Sequence, residues 1–471
     1  MNVASSVAAA LADRAATAPG AGALAIDDRR WTAAELTDDV AAAAGWLDPR
    51  LAASPSHVNG QPRVAVCVAD PADQLRWALA ADWIGAAAAV LDVRWPPVVL
   101  AAALEEVQPD LVVRHGPDRA GRPHTGAPAA VQEHHIGWIS LTSGTSGPPR
   151  ALGRTRQSWI ASFPAFSHLT GLSAADTVLV PGPLSSSMFA FAAFHTLAVG
   201  ARVRLLPGWR PALAAGAQIT VAQLVPTMLA DLLDQAGQSD LRPRVVVTAG
   251  AKLQPDLERR VRAAWPQTHV VEYYGSSEQS FVTARVGGDP GTVGRPFPGV
   301  QVEIRDDNGH RLPTGESGVI WTRSPYAAVG YLDETPGRFR QVGGWVSVGD
   351  RGRLDGAGVL TLLGRDRIAT GGASVDPAAV EAVLRVAPSV RDVVVLGLPH
   401  PRLGEVVAAV VECRTDCRLS SLRRYARDNL AEAQRPRRWY AVEHLPRTGS
   451  GKPARAELLA AVQEGRLLPL S

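Results

Sequence analysis

Six consecutive residues, Thr142 to Gly147, are Thr, Ser or Gly, within the segment "ISLTSGTSGPPRALGRTR". Glycine lets backbone amides turn toward a ligand, and the hydroxyls of Thr142, Ser143, Thr145 and Ser146 add donors without adding charge. With Gly144 and Gly147 the run suits a cradle for phosphate oxygens. It lacks the Gly-Lys-Ser/Thr ending of the Walker loop. A second candidate is a lysine. The chain carries 48 Lys and Arg, yet lysine stands only at 252 and 452. In "HLPRTGSGKPAR" a lysine is kept where the neighbouring cations are arginine. Lysine carries a compact ammonium on a slim stem, whereas the guanidinium of arginine is broad, planar and fork-shaped. The lysine is preceded by Gly449 and Gly451. The plain alternatives are a flexible surface loop at 142–147 and a solvated tail residue at 452.

These residues need elements to hold them. Short β-branched runs recur at 63–69, 110–113, 177–180, 201–206, 218–225, 244–250 and 269–275. Ala/Leu-rich stretches of helical spacing, such as "QLRWALAADWIGAA" and "PTMLADLLDQA", lie between many of them. That alternation predicts parallel βαβ units. From about residue 300 the texture changes: "VQVEIRD", "GVIWTR" and "GVLTLLG" read as strands joined by turns such as "DDNGHR" and "DGAG", hence β-hairpins. After 364 an α+β pattern follows. The expected fold class is α/β, with a large N-terminal region of βαβ layers plus a small β-rich subdomain over 1–363, then a small α+β C-terminal domain over 367–471.

With 471 residues the chain is too long for one compact core. A hydrophobic content of 46% with 20% charge reads as a soluble globular protein. The formal charge of +3 gives no warrant for a nucleic-acid partner. Cys67, Cys413 and Cys417 cannot build a disulfide framework, and the last two lack the paired spacing of a zinc site. The N-terminus "MNVASSVAAALADRAA" has no basic segment followed by an apolar core, and reads as an amphipathic helix rather than a secretion signal. The longest apolar runs, such as the one broken by Asp82, are too short to cross a bilayer. A cytoplasmic location without a membrane span is expected.

The residue order at 141–151 resembles the signature of the adenylate-forming (AMP-binding) superfamily, which includes acyl-CoA synthetases, luciferases and nonribosomal-peptide adenylation domains. Its usual form is Thr-Ser-Gly-Thr-Thr-Gly-x-Pro-Lys-Gly. Here Ser146 replaces a threonine, Arg150 the lysine and Ala151 the last glycine. Further segments resemble the family in order: "TAGAKL" at 248–253, "EYYGSSEQS" at 272–280, "SVGDRGRLD" at 347–355, "GRDRIATGGASVDPAAVEAVL" at 364–384, and "PRTGSGKPAR". "RRWTAAEL" and "GAAAAVLDVRWP" are weaker matches upstream.

The resemblance implies ATP-dependent activation of a carboxylic acid to an acyl-adenylate, with release of pyrophosphate and transfer of the acyl group to a thiol. A carboxylate is a poor acyl donor, and attack on the α-phosphorus brings two anions together, so catalysis is mainly positioning and charge neutralisation. By resemblance, ATP is bound by Thr142, Ser143, Gly144, Thr145, Ser146 and Gly147, by the turn Gly250, Ala251 and Lys252 (where proline is usual), and by Tyr274, Gly275, Ser276 and Ser277. Tyr274 would stack on adenine, and Ser277 would donate to the α-phosphate. Glu278 would hold Mg²⁺, a hard cation suited to carboxylate and phosphate oxygen. Asp350 would take the ribose hydroxyls, and Arg365, fifteen residues on, would contact the nucleotide. Lys452 would reach the α-phosphate and the attacking carboxylate together. The expected catalytic set is thus Lys452, Arg365 and Glu278. A hinge falls at 364–366 with Asp366 as its aspartate, although the usual Gly-Arg-x-x-Asp is shortened to Gly-Arg-Asp. The C-terminal domain would be a mobile lid that closes in two ways. Gly371 and Gly372 would line a pantetheine tunnel.

The family's acyl site corresponds to 181–207. Ser186, Ser187, Met188, Phe189 and, farther on, Phe281 would line it. No Asp or Glu lies between Asp176 and Asp231. A buried substrate ammonium would therefore be unpaired, and a small carboxylic acid without a free α-amino group is expected. The acceptor would be CoA or the phosphopantetheine thiol of an acyl carrier protein, whose phosphates or acidic surface the basic stretch 414–455 could meet. An amine acceptor, making an amide ligase, and a catalytically silent nucleotide-binding relative are the other readings.

Overall fold

The computed structural model describes residues 6–53, 61–117, 123–129, 135–143, 149–215, 218–235, 241–306, 308–333, 339–363, 368–414, 417–446 and 455–470. The stretch 245–276 illustrates how pattern becomes fold. The strand Val245–Thr248 is wholly buried, and the helix Pro255–Ala264 starts on a proline. That placement costs no hydrogen bond, because first-turn amides have no acceptor within the helix. The strand His269–Ser276 then returns parallel to the first, with Val245 opposite His269 and Thr248 opposite Glu272.

Repetition of such units builds a nine-stranded sheet in the order Arg295–Pro296, Ser280–Val286, His269–Ser276, Val245–Thr248, Val221–Leu224, Thr177–Val180, Arg202–Leu205, Gly22–Ile26 and Arg29–Thr32. Its central pairings are parallel, as the alternating pattern predicts. A second sheet of six strands runs Gly330–Tyr331, Pro149–Thr155, Ile136–Ser143, Ala87–Val90, Arg63–Val66 and Leu111–Val113. One hydrophobic core joins residues of both, including Leu24, Val66, Trp77, Val90, Phe166, Phe191 and Val247. Each such side chain contributes about 1.5–3 kcal/mol when withdrawn from water.

The β-rich part is a six-stranded antiparallel sheet. Gln301–Arg305 pairs with Ser317–Arg323, and Arg351–Leu354 turns back on Leu360–Leu362. The C-terminal part is a five-stranded sheet built on the long hairpin Val390–His400 and Gly404–Cys413, and it has hydrophobic clusters of its own. Its turn at Gly372 packs against Val225 and Gly250, and Arg402 pairs with Asp231. The expected N-terminal helix is present as Val7–Thr17, burying Val7, Ala8 and Leu11. Cys413 and Cys417 are bonded to each other, a single local link rather than a framework. No helix among the described residues is long and apolar enough to cross a membrane.

Candidate active site

Glu278 occupies the turn of a tight hairpin. The strand His269–Ser276 reverses into Ser280–Val286, with Gly275 opposite Phe281 and Ser276 opposite Ser280. A Cβ on Gly275 would lie 1.9 Å from the Ser280 carbonyl oxygen, so closure of this hairpin by itself demands glycine. Two clamps hold the turn. Arg154, 1% exposed, donates to the carbonyls of Ser277 (2.6 Å) and Tyr326, and Ala328 donates its amide to the Glu278 carbonyl at 2.8 Å. Burial pulls the Arg154 guanidinium down to a pKa of about 10, with the Glu278 charge opposing that shift. The guanidinium is charged at neutral pH.

The Glu278 side chain is buried. Its Oε1 accepts the Tyr331 hydroxyl at 2.7 Å. Its other oxygen has no hydrogen-bond donor among the described residues. No group of three or more His, Cys, Asp or Glu that could hold a metal is found among those residues. A divalent ion here would be held by the Glu278 carboxylate together with oxygens of its ligand. That donor set fits Mg²⁺, which is commonly bound through one or two carboxylates plus phosphates.

Next to Glu278, hydroxyls form a chain. Ser140 lies 2.8 Å from Ser187, and Ser187 lies 3.0 Å from Ser277. Ser140 belongs to the strand Ile136–Ser143 that leads into the Ser/Gly run, and Ser187 opens the helix Ser187–Ala198, for which Ser186 is the N-cap. The chain thus brings together the start of the expected acyl region and the expected phosphate segment. Thr142 is buried at the end of the same strand, and its hydroxyl donates to Tyr331 at 3.2 Å. The run continues into an antiparallel strand, Pro149–Thr155, rather than a helix, which distinguishes it from a Walker loop. Arg150 does more than replace one positive charge by another. Its guanidinium lies 3.9 Å over the Tyr331 ring and pairs with Asp333 at 2.6 Å.

Tyr274 donates its hydroxyl to Asp350 at 2.6 Å, and both are buried. Tyr274 belongs to a hydrophobic cluster with Val282, Val293, Ile304, Ile320 and Leu360. Two residues named separately in the sequence, one for adenine and one for ribose, are therefore bonded to each other. Gly250 adopts φ +82° in the turn after Val245–Thr248, and Ala251 follows it. The ammonium of Lys252 is turned to Glu272, at 2.8 and 3.0 Å, beside Arg285 and Glu258. Burial lowers its pKa, and Glu272 offsets part of that shift.

Among the expected acyl residues, Met188 is half-buried against the main core, and the Phe189 ring covers Gly182. Phe281 stacks on Phe297 at 4.6 Å and abuts Phe191 and Phe166, so it is part of an aromatic core. Gly371 and Gly372 form a turn with φ +56° and +85° at the edge facing Val225. Gly144, Thr145, Ser146, Gly147, Arg365, Asp366 and Lys452 lie outside the described residues, as does the side chain of Ser143. Sequence reasoning passed over Tyr331, Arg154 and Ser140. Their partners are up to 189 positions away, and no local pattern marks them.

The family model described as AMP-binding enzyme matches residues 114–332, and the AMP-binding enzyme C-terminal domain matches 379–452. An uncharacterized acyl-CoA ligase of Bacillus subtilis is 31% identical over 480 residues, covering 96% of this chain and 97% of its own. The fold matches an o-succinylbenzoate CoA synthetase of Bacillus subtilis bound to a product analogue, with TM-score 0.86, 23% identity and coverage of 98% and 99%. It also matches the amide bond synthetase of Marinactinospora thermotolerans, with TM-score 0.84, 28% identity and coverage of 97% and 99%. The chain belongs to the AMP-binding enzyme family and is an adenylate-forming, AMP-forming ligase.

Proposed function

We propose that this protein activates a carboxylic acid without a free α-amino group as its acyl-adenylate, and then passes the acyl group to the thiol of CoA. The observation that carries the reading is the 3.0 Å contact between Ser187 and Ser277. It puts the segment assigned to the α-phosphate one hydroxyl away from the helix assigned to the acid, so that a carboxylate and a phosphate can meet there. Ser277 and Ser187 would orient the two reacting oxygens, and Glu278 would hold Mg²⁺, which spreads the charge of the phosphates. Tyr274 and Asp350 would carry adenosine. Thr142 to Gly147, Gly250 and Ala251 would frame the rest of the nucleotide. Lys452 and Arg365 would neutralise charge as the two anions approach.

The chain would divide at a hinge over 364–366, into a nucleotide- and acid-binding part (1–363) and a lid (367–471), with Gly371 and Gly372 along the path of the thiol arm. Arg418, Arg423, Arg424 and Arg427 are exposed on or just before the helix Leu419–Asn429. That surface suits the phosphates of CoA, or an acidic carrier protein bearing the same thiol. A second reading, transfer to an amine, draws support from the 28% identity to an amide bond synthetase.

The test is ATP–pyrophosphate exchange over a panel of carboxylic acids, followed by addition of CoA, carrier protein or amines. Exchange with an acid followed by thioester formation is expected. Absence of exchange with every acid would sink the reading, and exchange followed only by amide formation would favour the second.

A further inference from the structure

We propose that Tyr331 is a positioning residue that ties the strand entering the Ser/Gly run to Glu278 and so sets the affinity for the metal–nucleotide complex. The proposal rests on the nucleotide-site reading above. The two-residue strand Gly330–Tyr331 lies antiparallel on Pro149–Thr155, with Tyr331 opposite Leu152. This carries the tyrosine across to two segments remote from it in the chain. Its single hydroxyl proton goes to Glu278 Oε1 at 2.7 Å, and its oxygen accepts from Thr142 Oγ1 at 3.2 Å. It is shorter than the 3.5 Å approach of the same hydroxyl to the Arg150 carbonyl.

The polarity therefore runs in one direction, from Thr142 through Tyr331 to Glu278. A donor on Oε1 holds the carboxylate in one rotamer and leaves Oε2 for a cation. The ring itself is fixed. Arg150 covers its face at 3.9 Å and is held by Asp333 at 2.6 Å, while the nearby Ala328 amide grips the Glu278 carbonyl at 2.8 Å. A long carboxylate side chain ordered before its ligand arrives loses less freedom on binding, and a charge-assisted hydrogen bond is among the stronger ways to order it.

The experiment uses the full chain with Tyr331→Phe. Calorimetry measures binding of a non-hydrolysable ATP analogue with Mg²⁺, and separately of AMP without Mg²⁺; melting checks the fold. Binding of the Mg²⁺-dependent ligand should weaken by about tenfold, while AMP binding stays within about twofold. In a Glu278→Gln background the same change should add little, since its effect passes through that carboxylate. Thr142→Val, which leaves the ring in place, should produce part of the Mg²⁺-dependent loss. Equal weakening of both ligands, an undiminished effect in the Glu278→Gln background, or no change in either variant would overturn the proposal. Wild-type protein that binds neither nucleotide would overturn the functional reading, and the proposal with it. Retained AMP binding separates the two failures.

Discussion

Replacing Gly372 by alanine should separate the two half-reactions. A Cβ there would lie 2.5 Å from Val225 Cγ1, 2.7 Å from its Cβ and 2.9 Å from its Cγ2. Val225 is 5% exposed and caps the helix Pro226–Asp234, so it has little room to yield. Overpacking of this kind costs about 1–3 kcal/mol. The residue also has φ +85°, which penalises any Cβ by about 1–2 kcal/mol. That penalty belongs to the turn in every arrangement of the small domain and cancels when two steps are compared. The steric cost acts only when this face is docked on Val225. If the docked arrangement serves thioester formation, that step should fall by about 5- to 150-fold when acyl-adenylate is supplied. Pyrophosphate exchange should change by less than about threefold. Adding Val225→Ala removes two of the three contacted atoms and should restore part of the loss. Equal loss in both steps, or undiminished thioester formation by a folded variant, would refute the reasoning.

Three other substitutions probe the site and its support. Tyr274→Phe removes the 2.6 Å bond to Asp350. It should destabilise the fold by about 1.5–3 kcal/mol and raise KM for ATP with kcat largely kept; an unchanged KM would remove Asp350 from the ribose role. Lys252→Met breaks the pair with Glu272 but leaves that carboxylate Arg285 and the Leu253 amide. A loss of about 1–3 kcal/mol in stability with little change in KM for ATP is expected, whereas a large KM rise at unchanged melting temperature would put the ammonium on the nucleotide. His195 is buried among Phe163, Phe166 and Phe191, and burial pulls its pKa from 6.5 to about 3. The unfolded chain takes up the proton first, so this contribution is complete above pH 6.5, falls as pH drops toward 3, and amounts to about 2 kcal/mol lost at pH 5. Denaturation midpoints of His195→Leu should show a flatter slope between pH 5 and 6.5 than wild type; an equal slope would show that His195 titrates normally.

Much of the scaffold could be read from local pattern. "TVLV" and "VVVT" are the strands Thr177–Val180 and Val245–Thr248, because a run of β-branched residues between turn signals has few other ways to be buried. Motif order pointed to Glu278, Tyr274 and Asp350, since the family resemblance rests on residue types that recur over short distances in turns. By itself the sequence determined an α/β chain with a β-rich insert, a distinct C-terminal part and a family signature. Tertiary structure alone decided what each polar side chain does. Tyr274 meets Asp350 across 76 positions, Arg154 holds Ser277 across 123, and Thr142 reaches Tyr331 across 189. Lys252, read in sequence as part of the nucleotide turn, directs its ammonium at Glu272. The physical reason is the range of the forces involved. Strand and helix preferences act between near neighbours, whereas a buried hydroxyl or charge must find whatever partner the packed sheets bring within about 3 Å of it.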